Sequence, residues 1–267
     1  MISLSVNIRS KTFTNGVCAI KDMSFDARPG EFLAIVGPSG AGKSTLLGLI
    51  AGLDPAVDGD ISAKTGDAQQ HRFRTGFMFQ EPRLMPWLTV QQNIDLVLRP
   101  YAGRRNAVDD DAQVRHLLEL VGLKDFGGMF PSQLSAGMCR RVALLRAFII
   151  DPDLLLMDEP FQSLDAPTAE QLRQLLFDLW QRTSPTVLFV THSLQEAISL
   201  ADRILFFSAR PSHVILDYEI PLPRPRTLDS APVQQIHHQL LSRYPQLLEG
   251  SAAPAHASAM LGQYRAG

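Results

Sequence analysis

One stretch, Gly37-Pro38-Ser39-Gly40-Ala41-Gly42-Lys43-Ser44-Thr45, constrains this chain more than any other. It has the spacing of a phosphate-binding loop: a glycine, four residues, then Gly-Lys followed by Ser or Thr. Such a loop works only between a strand and a helix. Both flanks are present. Phe32-Leu33-Ala34-Ile35-Val36 is a short apolar, partly β-branched run that predicts a buried strand. Leu46-Leu47-Gly48-Leu49-Ile50-Ala51 predicts a helix ended by Gly52. A glycine-rich turn that matched the spacing by accident would not bring both elements with it.

The chemistry of such a loop is anion capture. Glycines let successive backbone N–H groups turn inward without Cβ clashes, and the following helix adds unpaired N–H groups and its positive end. A polyphosphate suits it. Lys43 would reach the terminal phosphates, where one charge contact at ~4 Å is worth about 4 kcal/mol at an effective dielectric of ~20. Ser44 would hold Mg²⁺ through its hydroxyl.

Composition narrows the partners. With 267 residues, 45% of them hydrophobic, the chain can bury one sizeable core or two modest ones. A net charge of −2 lacks the basic footprint of a protein that lives on nucleic acid, so no nucleic-acid partner is expected. The two cysteines, Cys18 and Cys139, make no disulfide framework, and no Cys/His spacing resembles a zinc site. That fits a reducing cytosol. Ile2, Leu4, Val6 and Ile8 alternate with polar residues, which predicts a half-buried strand and no export signal. Apolar runs elsewhere are too short to cross a bilayer; Val142 to Ile150 carries Arg146 in its middle. Membrane association must come through a partner.

Along the chain, Met23 to Ala27 predicts a strand, and Arg28-Pro29-Gly30 turns it toward the strand before the glycine loop. Lys11-Thr12-Phe13 is expected to carry its aromatic ring in a loop. Gly52-Leu53-Asp54-Pro55 and Asp58-Gly59-Asp60 read as turns, and Gly76 to Phe79 as a strand ending in Gln80. From about 81 to 153 the spacing becomes helical, with Val114, Leu117, Leu118 and Val121 on one face and a second helix behind the turn Ser135-Ala136-Gly137. This predicts a helical insert in an α/β body. The body resumes with Leu154 to Asp158, a strand apolar on both faces, as a covered parallel sheet requires. A helix over 168–182, a buried strand from Thr186 to Val190, and a hairpin from Asp202–Phe207 and Val214–Leu216 follow. Val233, Ile236, Leu240 and Leu241 make an amphipathic helix expected to pack on the body, and 250–267 is expected to fray.

Two further positions carry chemistry. Asp158-Glu159 ends an apolar strand, where Asp158 would join the Mg²⁺ shell and Glu159 would polarise the water that attacks the γ-phosphate. His192, after the next buried strand, is a catalytic candidate by its place at the carboxyl edge of the sheet.

Taken in order, the glycine loop, Phe79-Gln80-Glu81-Pro82, Leu134-Ser135-Ala136-Gly137-Met138, Leu154 to Glu159, Ser163-Leu164-Asp165 and His192 resemble the ATP-binding cassette family, the ATPase subunits of ABC transporters. The resemblance spans about residues 3–226. It implies a P-loop NTPase (RecA-like) core with an antiparallel β subdomain and an inserted α-helical subdomain at about 81–153, followed by a C-terminal helix and tail at 227–267. ATP would lie on residues Gly37, Pro38, Ser39, Gly40, Ala41, Gly42, Lys43, Ser44 and Thr45, with Phe13 stacked on the adenine; a packed loop aromatic is the competing reading of Phe13. Gln80 would contact Mg²⁺ and the attacking water. Ser135 and the N–H of Gly137 would touch the γ-phosphate held by a second copy of the subunit, and Asp165 would lie at that dimer interface. Two ATP molecules would be sandwiched, and hydrolysis would remove the contact that closed them.

The signature departs from the family pattern: Ala136 stands for the usual first glycine, Met138 for a frequent glutamine, and Cys139-Arg140 for a polar pair. A methyl group at 136 is harmless if φ is negative and costly if it is positive. The stretch from Phe79 to Val90 and the late Pro221-Leu222-Pro223-Arg224-Pro225-Arg226 resemble the nitrate, sulfonate and taurine importer group, whose members also serve bicarbonate and thiamine precursors. That implies an integral membrane permease and a secreted solute-binding protein as partners, with this subunit peripheral on the cytoplasmic face of the inner membrane. Met85, Trp87 and Leu88 would line a groove for a permease helix or be core of the insert. The alternatives are a soluble ABC-type ATPase acting on DNA or the ribosome, against which the short insert, single cassette and charge balance speak, and a small-molecule kinase, which would leave the signature and His192 unexplained.

Overall fold

The computed structural model describes residues 1–65, 73–101 and 107–250. In chain order its main elements are β1 (Ile2–Thr12), β2 (Cys18–Ala27), β3 (Phe32–Val36), α1 (Lys43–Ile50), β4 (Asp58–Thr65), β5 (Thr75–Met78), α2 (Val90–Leu98) and α3 (Ala107–Leu120). They continue with α4 (Ala136–Phe148), β6 (Leu154–Asp158), α5 (Ala166–Thr183), β7 (Thr186–Thr191), α6 (Leu194–Leu200), β8 (Arg203–Phe207), β9 (Val214–Glu219) and α7 (Ala231–Arg243). The chain forms two compact units, one of Met1–Ile2 with Thr65–Val187, the other of Ser3–Lys64 with Leu188 onward. The architecture is α/β, with an antiparallel sheet beside parallel strands.

In the unit that carries the glycine loop, β1 buries Leu4, Val6 and Ile8 and exposes Ser5 and Asn7, the alternation its sequence predicts. It pairs antiparallel with β2, from Leu4 opposite Ala27 to Thr12 opposite Cys18, and the order of this sheet is β2-β1-β4. Around β3 the order is β7-β3-β8-β9, with β3 and β8 parallel and β8 and β9 antiparallel. Every residue of β3 is buried, and Phe32 meets Phe189 edge-on at a centroid distance of 5.9 Å. The hairpin of β8 and β9 is as expected. Helix α7 buries Val233, Ile236 and Leu240, and its Gln234 meets Gln195 of α6 at 3.3 Å.

Asp58-Gly59-Asp60 does not form the expected turn. It opens β4, because Gly59 is needed for close approach: a Cβ there would lie 2.3 Å from the Asn7 carbonyl oxygen and 2.7 Å from the Ile8 Cα. Lys11 and Thr12 belong to β1 and only Phe13 enters the turn, while β2 starts earlier than its apolar pattern indicates. The tail expected to fray beyond Gly250 lies outside the described residues.

In the other unit β5 and β6 run parallel, Thr75 opposite Leu154 and Met78 opposite Met157. Gly76 lets α4 settle on β5, since a Cβ there would be 2.3 Å from the Ala147 carbonyl oxygen. Helices α2, α3 and α4 share a core that includes Val90, Ile94, Val114, Leu118, Val142 and Leu145. Asn93, fully buried in α2, donates to the carbonyls of Met85, Leu88 and Thr89 at 3.0–3.1 Å and accepts from the Met85 N–H at 2.8 Å. It fixes the preceding loop while leaving Trp87 70% exposed, so Trp87 is not core of the helical segment.

A buried ion pair ties the antiparallel sheet to β8. Arg203 donates through Nε to Glu31 at 2.8 Å and through a second nitrogen to Asp217 at 2.9 Å, with a further bond to the Asp26 carbonyl. Glu31 also accepts from the Arg28 N–H at 2.7 Å. Burial alone would lower the Arg203 pKa; Glu31 and Asp217 more than offset it, so the guanidinium is held above its ordinary value. Glu31→Gln should leave that cation inadequately paired and cost about 3 kcal/mol of unfolding free energy. Urea titration checks this, and an unshifted midpoint would show the pair to be energetically idle.

Candidate functional site

The glycine loop is pressed against its neighbours. Gly40 and Gly42 take φ of +77° and +85°, the left-handed region where a side chain is strained. A Cβ on Gly42 would lie 3.3 Å from the Ala19 carbonyl oxygen and 3.5 Å from Ser212 Oγ, and one on Gly37 would lie 3.0 Å from Phe207 Cβ. Conformation therefore favours glycine at 40 and 42, and tight surroundings favour it at 37 and 42. Gly42 is the N-cap of α1 and supplies no side-chain cap, which leaves the positive end of the helix to an outside anion. Lys43, 5% exposed, folds across the loop and donates to the carbonyls of Gly37 at 2.7 Å and Pro38 at 2.9 Å. Ser44 is exposed and Thr45 half-buried. This cradle fits a polyphosphate.

Two expected residues stand on elements that flank the loop. The β1–β2 turn carries Phe13 at its start, closed by Phe13 N–H to Val17 and Gly16 N–H to Phe13, both at 2.9 Å. Phe13 is 37% exposed, with Lys11 Nζ 5.5 Å from its ring centre; two residues after the turn, Ala19 and Ile20 are the residues that back Gly42. The ring is thus partly exposed and partly covered by its own loop. His192 follows β7, the neighbour of β3, and is exposed. Its backbone is fixed by Thr191, whose hydroxyl donates to Glu196 at 2.7 Å and accepts from the Ser193 N–H at 3.0 Å.

The other unit gathers the remaining residues. Parallel pairing of β5 with β6 makes Gln80 and Glu159 leave by the same edge. Asp158 ends β6 and is 7% exposed, and Glu159 has φ of +45°, a strained conformation that costs about 1–3 kcal/mol. Ser163 in the same turn has φ of +64°. Gln80 is exposed, and its amide donates to the Gln162 side chain.

Ser135 and Gly137 do not lie in a turn. Ser135 is the N-cap of α4, its hydroxyl accepting from the Met138 N–H at 3.2 Å, and Ala136 and Gly137 open the helix. Ala136 is therefore an ordinary right-handed residue, where a methyl group costs nothing. Gly137 lies against α5, so that a Cβ would fall 2.6 Å from Thr168 Cγ2. Asp165, the N-cap of α5, accepts from the Thr168 N–H at 3.4 Å, and hydrogen bonding by Thr168 holds its carboxyl below the usual aspartate range. The signature segment and Asp165 thus meet at Thr168. Sequence reasoning missed Thr168, Gln162 and Arg210, whose Nε donates to the Gly40 carbonyl at 2.7 Å from 170 positions away. Only the position of Gln162, between Glu159 and Ser163, offered a signal.

The family model described as ABC transporter matches residues 20–162, which includes the glycine loop, Gln80, Ser135, Asp158 and Glu159. The chain is 40% identical over 250 residues to the aliphatic sulfonates import ATP-binding protein SsuB of Bacillus licheniformis, covering 91% of this chain and 94% of that one. It is 39% identical over 222 residues to the taurine import ATP-binding protein TauB of Pelagibacter ubique, covering 83% of each. Among solved structures it matches the ATP-binding cassette MJ0796, a dimer in a post-hydrolysis state bound to ADP and Pi, with a TM-score of 0.70 and 31% identity over 82% of this chain and 100% of that one.

The Gly137–Thr168 contact can be tested directly. Gly137→Ala should destabilise the chain by about 1–3 kcal/mol through overpacking. Adding Thr168→Ser, which removes the clashing methyl and keeps the hydroxyl, should restore most of the loss in a thermal melt; no restoration would place the strain elsewhere.

Proposed function

This chain belongs to the ABC transporter family, and from that premise we propose that it is the ATP-hydrolysing subunit of an importer for small sulfonate-type anions, taurine included. The cradle of Gly37–Lys43 carries this reading, and the SsuB and TauB relatives supply the solute class.

In the proposed site Gly37, Pro38, Ser39, Gly40, Ala41, Gly42, Lys43, Ser44 and Thr45 receive the phosphates of ATP, while Phe13 stacks on the adenine. Ser44 and Asp158, with Gln80, would hold Mg²⁺. No cluster of three or more His, Cys, Asp or Glu side chains among the described residues could hold a metal alone. That donor set suits Mg²⁺, which takes one or two carboxylates and completes its shell from substrate phosphates and water. Bound there, it would neutralise charge on the β- and γ-phosphates.

Each side chain then has a role. Glu159 would orient and polarise the attacking water, and Gln80 would contact that water and the Mg²⁺. His192 offers a polar contact to the reacting phosphate. A second copy presents Ser135, exposed at the start of α4, with the Gly137 N–H, and the helix N-terminus favours the γ-phosphate they meet. Asp165 of each copy lies at that boundary. ATP binding closes the pair and hydrolysis opens it.

Coupling to transport requires a permease. The exposed Trp87, on the loop fixed by Asn93, and Met129, whose carbonyl accepts from the Val90 N–H at 2.8 Å, offer apolar surface to a short permease helix. No described helix is long and apolar enough to cross a membrane. The subunit would sit peripherally on the cytoplasmic face of the inner membrane, with a secreted binding protein delivering the solute on the other side.

Glu159→Gln should trap an ATP-bound dimer, seen by light scattering as a doubling of mass with saturating ATP. A monomer under those conditions, beside a hydrolysing wild type, would refute the two-copy site. Ala136→Gly should change turnover by less than about threefold, because the residue is already helical; a hundredfold gain in steady-state ATPase rate would show that the methyl group impairs the signature.

A further inference from the structure

Arg140 is not among the residues given a role above, yet it sits between two of the segments that are. It lies in the second turn of α4, 7% exposed. One terminal nitrogen donates to the Phe79 carbonyl at 3.2 Å and the other to the Gln162 carbonyl at 3.3 Å. Phe79 immediately precedes Gln80, and Gln162 lies three residues after Glu159. The Gln80 amide closes the figure by donating to the Gln162 side chain. Three bonds therefore link α4, the Gln80 segment and the turn that follows Glu159 into one ring. A second arginine of the same helix, Arg146, donates to the Arg83 carbonyl at 2.9 Å, so α4 grips the Gln80 segment on both sides of that residue.

The cost of this arrangement argues that it is specific. Burial lowers the Arg140 pKa, with only partial opposition from Glu81, so a cation is kept in a half-dry place by neutral carbonyls. An apolar side chain of similar length would fill the same space without that cost. What it could not do is bond two separate backbone segments at once. A guanidinium can, because its donors form a rigid planar fork.

We propose that Arg140 is a positioning residue for ATP hydrolysis: from the signature helix it sets Gln80 and the Glu159–Gln162 turn in register, so that α4 and both segments move as a body. The inference rests on the hydrolysis reading above. It assigns no contact between Arg140 and nucleotide; Arg140 acts through Gln80 and Gln162.

The test uses the full chain. In steady-state hydrolysis with Mg²⁺ and ATP, Arg140→Met should lower kcat about tenfold and leave KM for ATP within about twofold, because the phosphate cradle is untouched. Arg140→Lys, which retains the charge and one donor, should recover part of the loss. In a Gln80→Ala background the further loss from Arg140→Met should shrink to less than about twofold, since residues acting as a unit are not additive. Equal losses in both backgrounds would mean a merely structural role and overturn the proposal. If Arg140→Met does not fold, Gln162→Ala removes the Gln80 partner without disturbing the buried cation, and its loss should likewise vanish in the Gln80→Ala background. Hydrogen exchange of the nucleotide-free chain gives a reading independent of activity: residues 80–83 and 160–164 should both exchange faster in Arg140→Met. Unchanged exchange there would overturn the coupling, whereas a wild type that hydrolyses no ATP would overturn the functional reading and leave the exchange result to decide the coupling.

Discussion

The structure depends on a backbone packed too closely for side chains. At Gly42 the chain must pass within 3.3 Å of the Ala19 carbonyl, and at Gly37 within 3.0 Å of Phe207 Cβ, as measured from where a Cβ would stand. Gly40 and Gly42 hold φ of +77° and +85°, outside the strand and right-handed helix regions. The consequence is chemical. Gly42 stands at the start of α1 without a side-chain cap, and a helix start of that kind favours an anion.

The other unit solves a different problem, that of holding several loops at defined separations. It uses helix starts. Ser135 caps α4, Asp165 caps α5, and Gly137 allows the two helices to touch at Thr168. Strain is placed where the chemistry is expected, at Glu159 and Ser163, whose φ values are positive. Hydrogen bonds of Arg140 and Gln162 then connect this turn to the Gln80 segment.

Much of this was legible in the sequence because it is local. The glycine loop, β3 before it and α1 after it are contiguous, and their pattern and spacing suffice. The face of α3 formed by Val114, Leu117 and Leu118 and the stripe on α7 follow from helical period alone. What escaped is non-local. Asp58-Gly59-Asp60 has the chemistry of a turn, and only the proximity of Asn7 makes that glycine a strand residue. The Arg203–Glu31 pair joins positions 172 apart, and Arg140 reaches a carbonyl 61 residues away, distances at which no pattern in a single sequence reports contact. The signature illustrates both cases: Ser135 was recognisable, whereas the harmlessness of Ala136 needed the backbone angle.

The most direct measurement is calorimetric titration of the full chain with ATP, comparing wild type with Gly42→Ala. Saturable binding by the wild type, weakened about tenfold or more by that single methyl group, is the expected result, since forcing a side chain into the left-handed region against the Ala19 carbonyl costs about 1–3 kcal/mol. Equal affinity in the two proteins, or no binding by either, would contradict the claim that this glycine backbone is the nucleotide site.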